Sequence, residues 1–144
     1  MKHLKYIKYI ISHRGNINGP NPELENNPLY INKALNEGFY VKVDVNIKNG
    51  KLYLGYDKPL YETNLQYLNN PKLWCCCKDL ETLTYLLSFK QIHCFWHQKD
   101  DYTLTSNAII WGYPGIKSSK DTIIVLPELN YNSRDELPDC YGIC

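Results

Sequence analysis

The sequence predicts an α/β fold, a reduced (β/α) barrel of the TIM type in which several outer helices are shortened or missing. Three observations carry this expectation. About eight short apolar runs rich in β-branched or aromatic residues recur along the chain, the strand number of a closed β/α barrel. Stretches with helical spacing separate some of them, as parallel strands require. The chain has 144 residues, which leaves roughly 18 per strand-to-strand unit, enough for a strand and a loop but often not for a helix. An incomplete or irregular barrel in one domain, residues 1–144, is therefore expected.

The first run, Ile10-Ile11-Ser12-His13-Arg14-Gly15, is an apolar strand that delivers an acid/base and a fixed cation to its end, where α/β proteins keep their chemistry. Residues 16–28 are dense in Asn, Pro and Gly and read as a loop carrying Glu23 and Glu25. Ile31, Ala34 and Leu35 recur at i, i+3 and i+4, which predicts a short helix over 29–36 closed by Gly38. Residues 39–47 alternate strictly: Val41, Val43, Val45 and Ile47 share one face, and Lys42, Asp44 and Asn46 share the other. Asn49-Gly50 marks a tight turn into a third strand over 51–57, stopped before Pro59. A fourth strand over 73–78 is followed by a helix from the N-cap Asp79 to Ser88. Residues 92–97, 108–113, 122–126 and 141–144 continue the strand rhythm, and no helical period is readable over 97–107 or 114–121.

Hydrophobic residues at 44% and charged residues at 22% match ordinary globular chains and exclude extended disorder. A net charge of +1 argues against a general nucleic-acid binder and leaves room for a local cationic pocket that takes one phosphate. Residues 1–9 lack the continuous apolar stretch of a secretory signal, and no segment approaches the ~18 apolar residues of a membrane span, so a cytoplasmic location is expected. The six cysteines, Cys75, Cys76, Cys77, Cys94, Cys140 and Cys144, show no paired metal-binding spacing and are expected as reduced thiols; Cys140 and Cys144 would pair only in an oxidising setting.

His13-Arg14-Gly15, Glu25-Asn26 after Pro22, Lys42-Val43-Asp44 on a second strand, the turn glycine Gly50, and Tyr56-Asp57-Lys58-Pro59 stand in an order and spacing that resemble the glycerophosphodiester phosphodiesterase family. The resemblance is best over the first 60 or so residues. Farther on, Cys76-Cys77-Lys78 aligns with that family's Glu-x-Lys, and Tyr141-Gly142-Ile143 is similar to its last strand. The resemblance implies a barrel of the phospholipase-C-like phosphodiesterase class, a role in lipid metabolism, and metal-assisted hydrolysis of a phosphodiester by general acid/base chemistry. It carries His13 over as a proton-transfer group, Arg14 as a phosphate clamp, Asp44 as a metal ligand and Lys78 as a second phosphate contact. Mg2+ or Ca2+ would be the cation of an active enzyme, with Glu25 or Glu128 as substitute ligands.

Three positions depart from that pattern. Lys42 stands where the family has its first metal-binding Glu, Tyr56 where it has its second histidine, and Cys76 where it has the middle-strand Glu. Tyrosine, with an ordinary pKa near ~10, is a weaker acid at neutral pH than histidine. His97 is the candidate to replace the missing histidine; it shares a strand face with His93 and lies nearer the strand's C-terminal end, with Trp96 as a candidate pocket wall. Lys42 and Asp44 share a strand face, so the ammonium would sit where a metal sits in the family. Two readings follow: a metal-free anion pocket of Arg14, Lys42 and Lys78, or a decayed site in which Lys42 merely pairs with Asp44. The expected ligand is a small phosphodiester or phosphate, with no nucleic acid and no transmembrane segment. The expected function is a phosphodiesterase-like hydrolase of impaired activity or, alternatively, an inactive relative that binds phosphate groups or acts as a scaffold.

Overall fold

The structure, a computed structural model, describes residues 6–144; the reading of the N-terminal segment falls partly on residues 1–5, outside them. Ten strands are present: β1 (Tyr9–His13), β2 (Tyr40–Lys48), β3 (Lys51–Leu54), β4 (Tyr61–Thr63), β5 (Leu73–Cys77), β6 (Cys94–Phe95), β7 (Tyr102–Leu104), β8 (Ile110–Gly112), β9 (Thr122–Ile124) and β10 (Gly142–Ile143). The helices are α1 (Pro28–Asn36), α2 (Leu65–Leu68) and α3 (Leu80–Leu87). No helix among the described residues is long and apolar enough to cross a membrane.

Parallel pairing runs in the order β6-β5-β2-β1-β10-β9-β8. β10 therefore lies beside β1, and the other parallel strands follow in order away from that junction. At the junction Gly142 faces Tyr9, and a Cβ there would come within 2.6 Å of the Tyr9 carbonyl oxygen, so only glycine lets the strands meet. The ladder does not close, because no pairing joins β6 to β8 among the described residues. Its two edges meet through side chains instead: Phe95 of β6 and Trp111 of β8 lie 4.8 Å apart between ring centroids. Ser106 donates its N–H to the Cys94 carbonyl at 2.8 Å, its Oγ accepts the Cys94 N–H at 2.9 Å, and Thr103 Oγ1 donates to the Trp96 carbonyl at 3.1 Å. Those bonds satisfy the edge of β6, where a strand would otherwise be needed.

The alternation of β2 sorts the two sides of the sheet. Val41, Val43 and Val45 are buried on the outer side with Ile31 and Ala34 of α1, Leu86 of α3, Leu73, Cys75 and Cys77. Ile11, Trp74, Cys76, Phe95, Trp111, Ile123 and Val125 form a separate core on the inner side. Asn27 caps α1 by accepting the Leu29 N–H, and Asp79 caps α3 by accepting the Thr82 N–H. Glu37 ends α1, and Gly38 leaves it at φ +97°, a conformation glycine adopts at no steric cost.

Several elements differ from the sequence reading. The third strand stops at Leu54 rather than running to residue 57, because Gly55 turns the chain and Leu60 N bonds the Leu54 carbonyl. The stretch expected as loop over 97–107 contains β7, an edge strand antiparallel to β8. β4 and α2 were not expected; each is very short, and β4 exists through pairing with β3. The strand over 92–97 shortens to Cys94–Phe95, and those over 108–113, 122–126 and 141–144 to Ile110–Gly112, Thr122–Ile124 and Gly142–Ile143.

His93 is buried between the Trp74 ring, 4.2 Å away, and Thr105 Oγ1, 2.7 Å from its Nε2. Burial pushes it down from 6.5 to about 4. The unfolded chain therefore takes up a proton that the folded chain refuses, so this part of the stability is present above pH 6.5 and is lost as pH falls toward 4. Melting temperatures measured across that window should fall with acidification, and H93Q should flatten the fall.

Candidate functional site

The C-terminal ends of the parallel strands surround a cavity of about 750 Å³, lined by His13, Arg14, Lys42, Tyr56, Lys78, Trp96 and His97 among others. β1 brings His13 to the rim, and Arg14 then turns out of the sheet at φ +60° while donating its N–H to the Lys42 carbonyl at 2.8 Å. A non-glycine residue in the left-handed region is strained and persists where its surroundings hold it. The support comes from Asn26, whose N–H donates to the Arg14 carbonyl at 3.0 Å.

At the base of the cavity lies Asp44, fully buried. Lys42 Nζ stands 2.6 Å from its Oδ1 and Lys78 Nζ 4.0 Å from the same oxygen. Asn26 Nδ2 donates to Oδ2 at 2.9 Å, and the Asp44 N–H donates back to Asn26 Oδ1 at 2.9 Å. Arg14 Nε lies 2.8 Å from Oδ2; this contact is an ion pair rather than a hydrogen bond, since the buried Nε–H has no acceptor in line. Burial alone would raise the Asp44 carboxyl, but Lys42 and Arg14 outweigh it and, with the Lys42 and Asn26 hydrogen bonds, hold it at about 2. Asp44 is thus a permanent anion neutralised from several sides.

Arg14 also reaches Glu25 Oε2 at 3.3 Å, and Asn16 Nδ2 holds Glu25 Oε1 at 2.8 Å. The face of Tyr56 packs on two of these cations, with the guanidinium carbon at 3.9 Å and the Lys78 ammonium at 4.0 Å from the ring centroid. His13 is pushed down from 6.5 to about 3 by burial, then by Lys42 and Arg14, so it is neutral at physiological pH. Its Nδ1 lies 3.7 Å from the Cys144 Sγ, a thiol that burial pushes up to about 12. His97 points Nε2 at the Asp100 carbonyl, 2.6 Å away; a carbonyl only accepts, so that nitrogen carries the hydrogen.

Of the residues singled out in the sequence, His13, Arg14, Lys42, Tyr56, Lys78, Trp96 and His97 line this one cavity, with Asp44 behind them. Glu25 and Glu128 do not line it. They border an adjoining cavity of about 540 Å³ on the other side of His13 and Arg14. Sequence reasoning missed Asn26 as a functional residue. Its signal was present, since Glu25-Asn26 belongs to the motif series, but its bonds cross 18 residues to Asp44.

The divalent cation implied by the family resemblance does not fit these residues. Hard cations take several oxygen ligands, yet both Asp44 oxygens already face Lys42, Arg14 and Asn26, and Glu25 is engaged by Arg14 and Asn16. Among the described residues no group of three His, Cys, Asp or Glu side chains is placed to hold a metal. Comparison with known proteins finds no matching family model, no matching curated protein and no matching solved structure.

Asn26 makes its contacts in a fully buried setting, so N26A leaves the Asp44 N–H and one carboxylate contact unsatisfied at a cost of about 1–3 kcal/mol each. D44A should cost about 3–5 kcal/mol, because it strands Lys42 and Arg14 without their anion. Urea unfolding of both variants against K51A, on an exposed surface pair, measures the difference.

Proposed function

We propose that the cavity is a metal-independent phosphate-binding site in which the Lys42 ammonium occupies the place a divalent cation holds in glycerophosphodiester phosphodiesterases. The observation that carries the reading is the Lys42–Asp44 pair at 2.6 Å with Arg14 and Lys78 converging on the same carboxylate. Three cations set against Asp44 and Glu25 leave one net positive charge at the mouth. Lys78, 4.0 Å from the Asp44 carboxylate, offers a mobile point charge, and Arg14, whose Nε faces Asp44 and whose Nη1 faces Glu25, adds its delocalised charge, the cation types that recognise phosphate. The order of the parallel strands, with β10 beside β1 and the ladder open between β6 and β8, supports an incomplete barrel of the TIM type, with the ligand at its C-terminal mouth. The buried thiols of Cys75, Cys76, Cys77, Cys94 and Cys144 favour a reducing, cytoplasmic setting.

Hydrolysis of a phosphodiester is the second reading, favoured by the placement of His13 beside Arg14 and of His97 on the same cavity. Its weakness is chemical: a histidine held near 3 is a poor base at pH 7, and Tyr56 replaces the second histidine. An arriving phosphate would raise His13 by adding negative charge beside it.

Calorimetric titration with inorganic phosphate should show binding that EDTA leaves unchanged and that R14A or K42A weakens at least ten-fold; binding abolished by chelation sinks the proposal. On a generic phosphodiester with Mg2+ or Ca2+, the parent chain should stay at background while K42E/Y56H gains metal-dependent turnover. Turnover by the parent that disappears in H13A would establish the hydrolase instead.

A further inference from the structure

A bare phosphate leaves most of the 750 Å³ cavity empty, and cavities of that size hold drug-sized ligands. What fills the rest is set by the aromatic part of the lining. There the partly buried Trp96 and Tyr113, 44% exposed, line the cavity, with Gln98 beside them. The wall is held in shape: His97 packs edge-on to Tyr113 at 6.0 Å and is anchored through Nε2 to the Asp100 carbonyl at 2.6 Å. Trp111 is buried beneath as part of the inner core.

Resting on the phosphate reading, we propose that this wall is a stacking subsite, and that the ligand is a phosphate ester of a planar, uncharged ring, of mononucleotide size. Charge chooses between the two kinds of group that aromatic walls accept. Quaternary ammonium groups also bind aromatic faces, but this cavity is lined by Arg14, Lys42, Lys78 and Lys99 against Asp100, the one lining carboxylate among the described residues. The Tyr56 face that would complete a cationic cage is already taken by Arg14 and Lys78. A neutral flat ring meets no such opposition; it stacks on Trp96 or Tyr113 and hydrogen-bonds at its edge to the Gln98 amide. The cations then hold the phosphate at one end and the aromatic wall holds the ring at the other.

Calorimetry on the full chain with four probes tests this: inorganic phosphate, adenosine 5′-monophosphate, phosphocholine and glycerol 3-phosphate. The adenosine monophosphate should bind about ten-fold tighter than the other three. W96A should remove that advantage while leaving the affinity for inorganic phosphate in place, W96F should retain it, and Y113A, on an exposed ring, should weaken it without disturbing the fold. Phosphocholine or glycerol 3-phosphate binding as tightly as the nucleotide overturns the stacking subsite, as does a nucleotide advantage that survives both W96A and Y113A. Phosphate binding with no gain from the ring refutes the subsite alone, whereas absence of binding by all four probes refutes the phosphate site on which it rests.

Discussion

Asp44 is the residue around which the base of the cavity is assembled. A carboxylate removed from water is costly unless its charge is met at close range and its lone pairs are filled. Here Lys42, Arg14 and Asn26 meet that demand from three segments: the same strand, the turn after β1 and the end of the following loop. Each contact constrains something else. Arg14 can reach Asp44 because its backbone takes a left-handed conformation, and that conformation is tied down by Asn26, itself left-handed at φ +64°. The loop between Arg14 and Asn26 is thereby closed at both ends, and Asn16 holds its middle through Glu25, the Asn21 N–H and the Tyr30 hydroxyl.

The same carboxylate determines what chemistry the mouth offers. An anion already surrounded by cations has little left for a metal, and the cations around it have charge to spare. Lys42 and Arg14 also act on His13, and with its burial they keep the imidazole neutral. At physiological pH the mouth therefore sets a neutral imidazole beside the fixed guanidinium of Arg14.

The open ladder curls until Phe95 and Trp111 lie 4.8 Å apart between ring centroids. Hydroxyl-bearing residues of the 103–106 segment then satisfy the edge that no strand covers. This side-chain seam lies on the flank of the cavity where Trp96 and Tyr113 stand, so the region that bridges the open edges also supplies aromatic lining.

Much of the frame was readable from local pattern. The strict alternation of residues 39–47 placed Val41, Val43 and Val45 on the face opposite Lys42 and Asp44, because side-chain direction in a strand follows from covalent geometry. The helices around Ile31 and after Asp79 were legible for the same kind of reason, since spacing and capping act within a few residues. The motif spacing also singled out the residues that now line the mouth. What the chain alone could not reveal were β4, α2 and β7, which are too short to carry a period and exist by pairing or packing with neighbours. Nor could it show the role of Asn26, the separation of Glu25 and Glu128 from the cavity, or the ladder left open between β6 and β8. Those outcomes depend on groups far apart in sequence competing for the same buried charge and the same free edges, and only the folded arrangement of all of them decides which partners win.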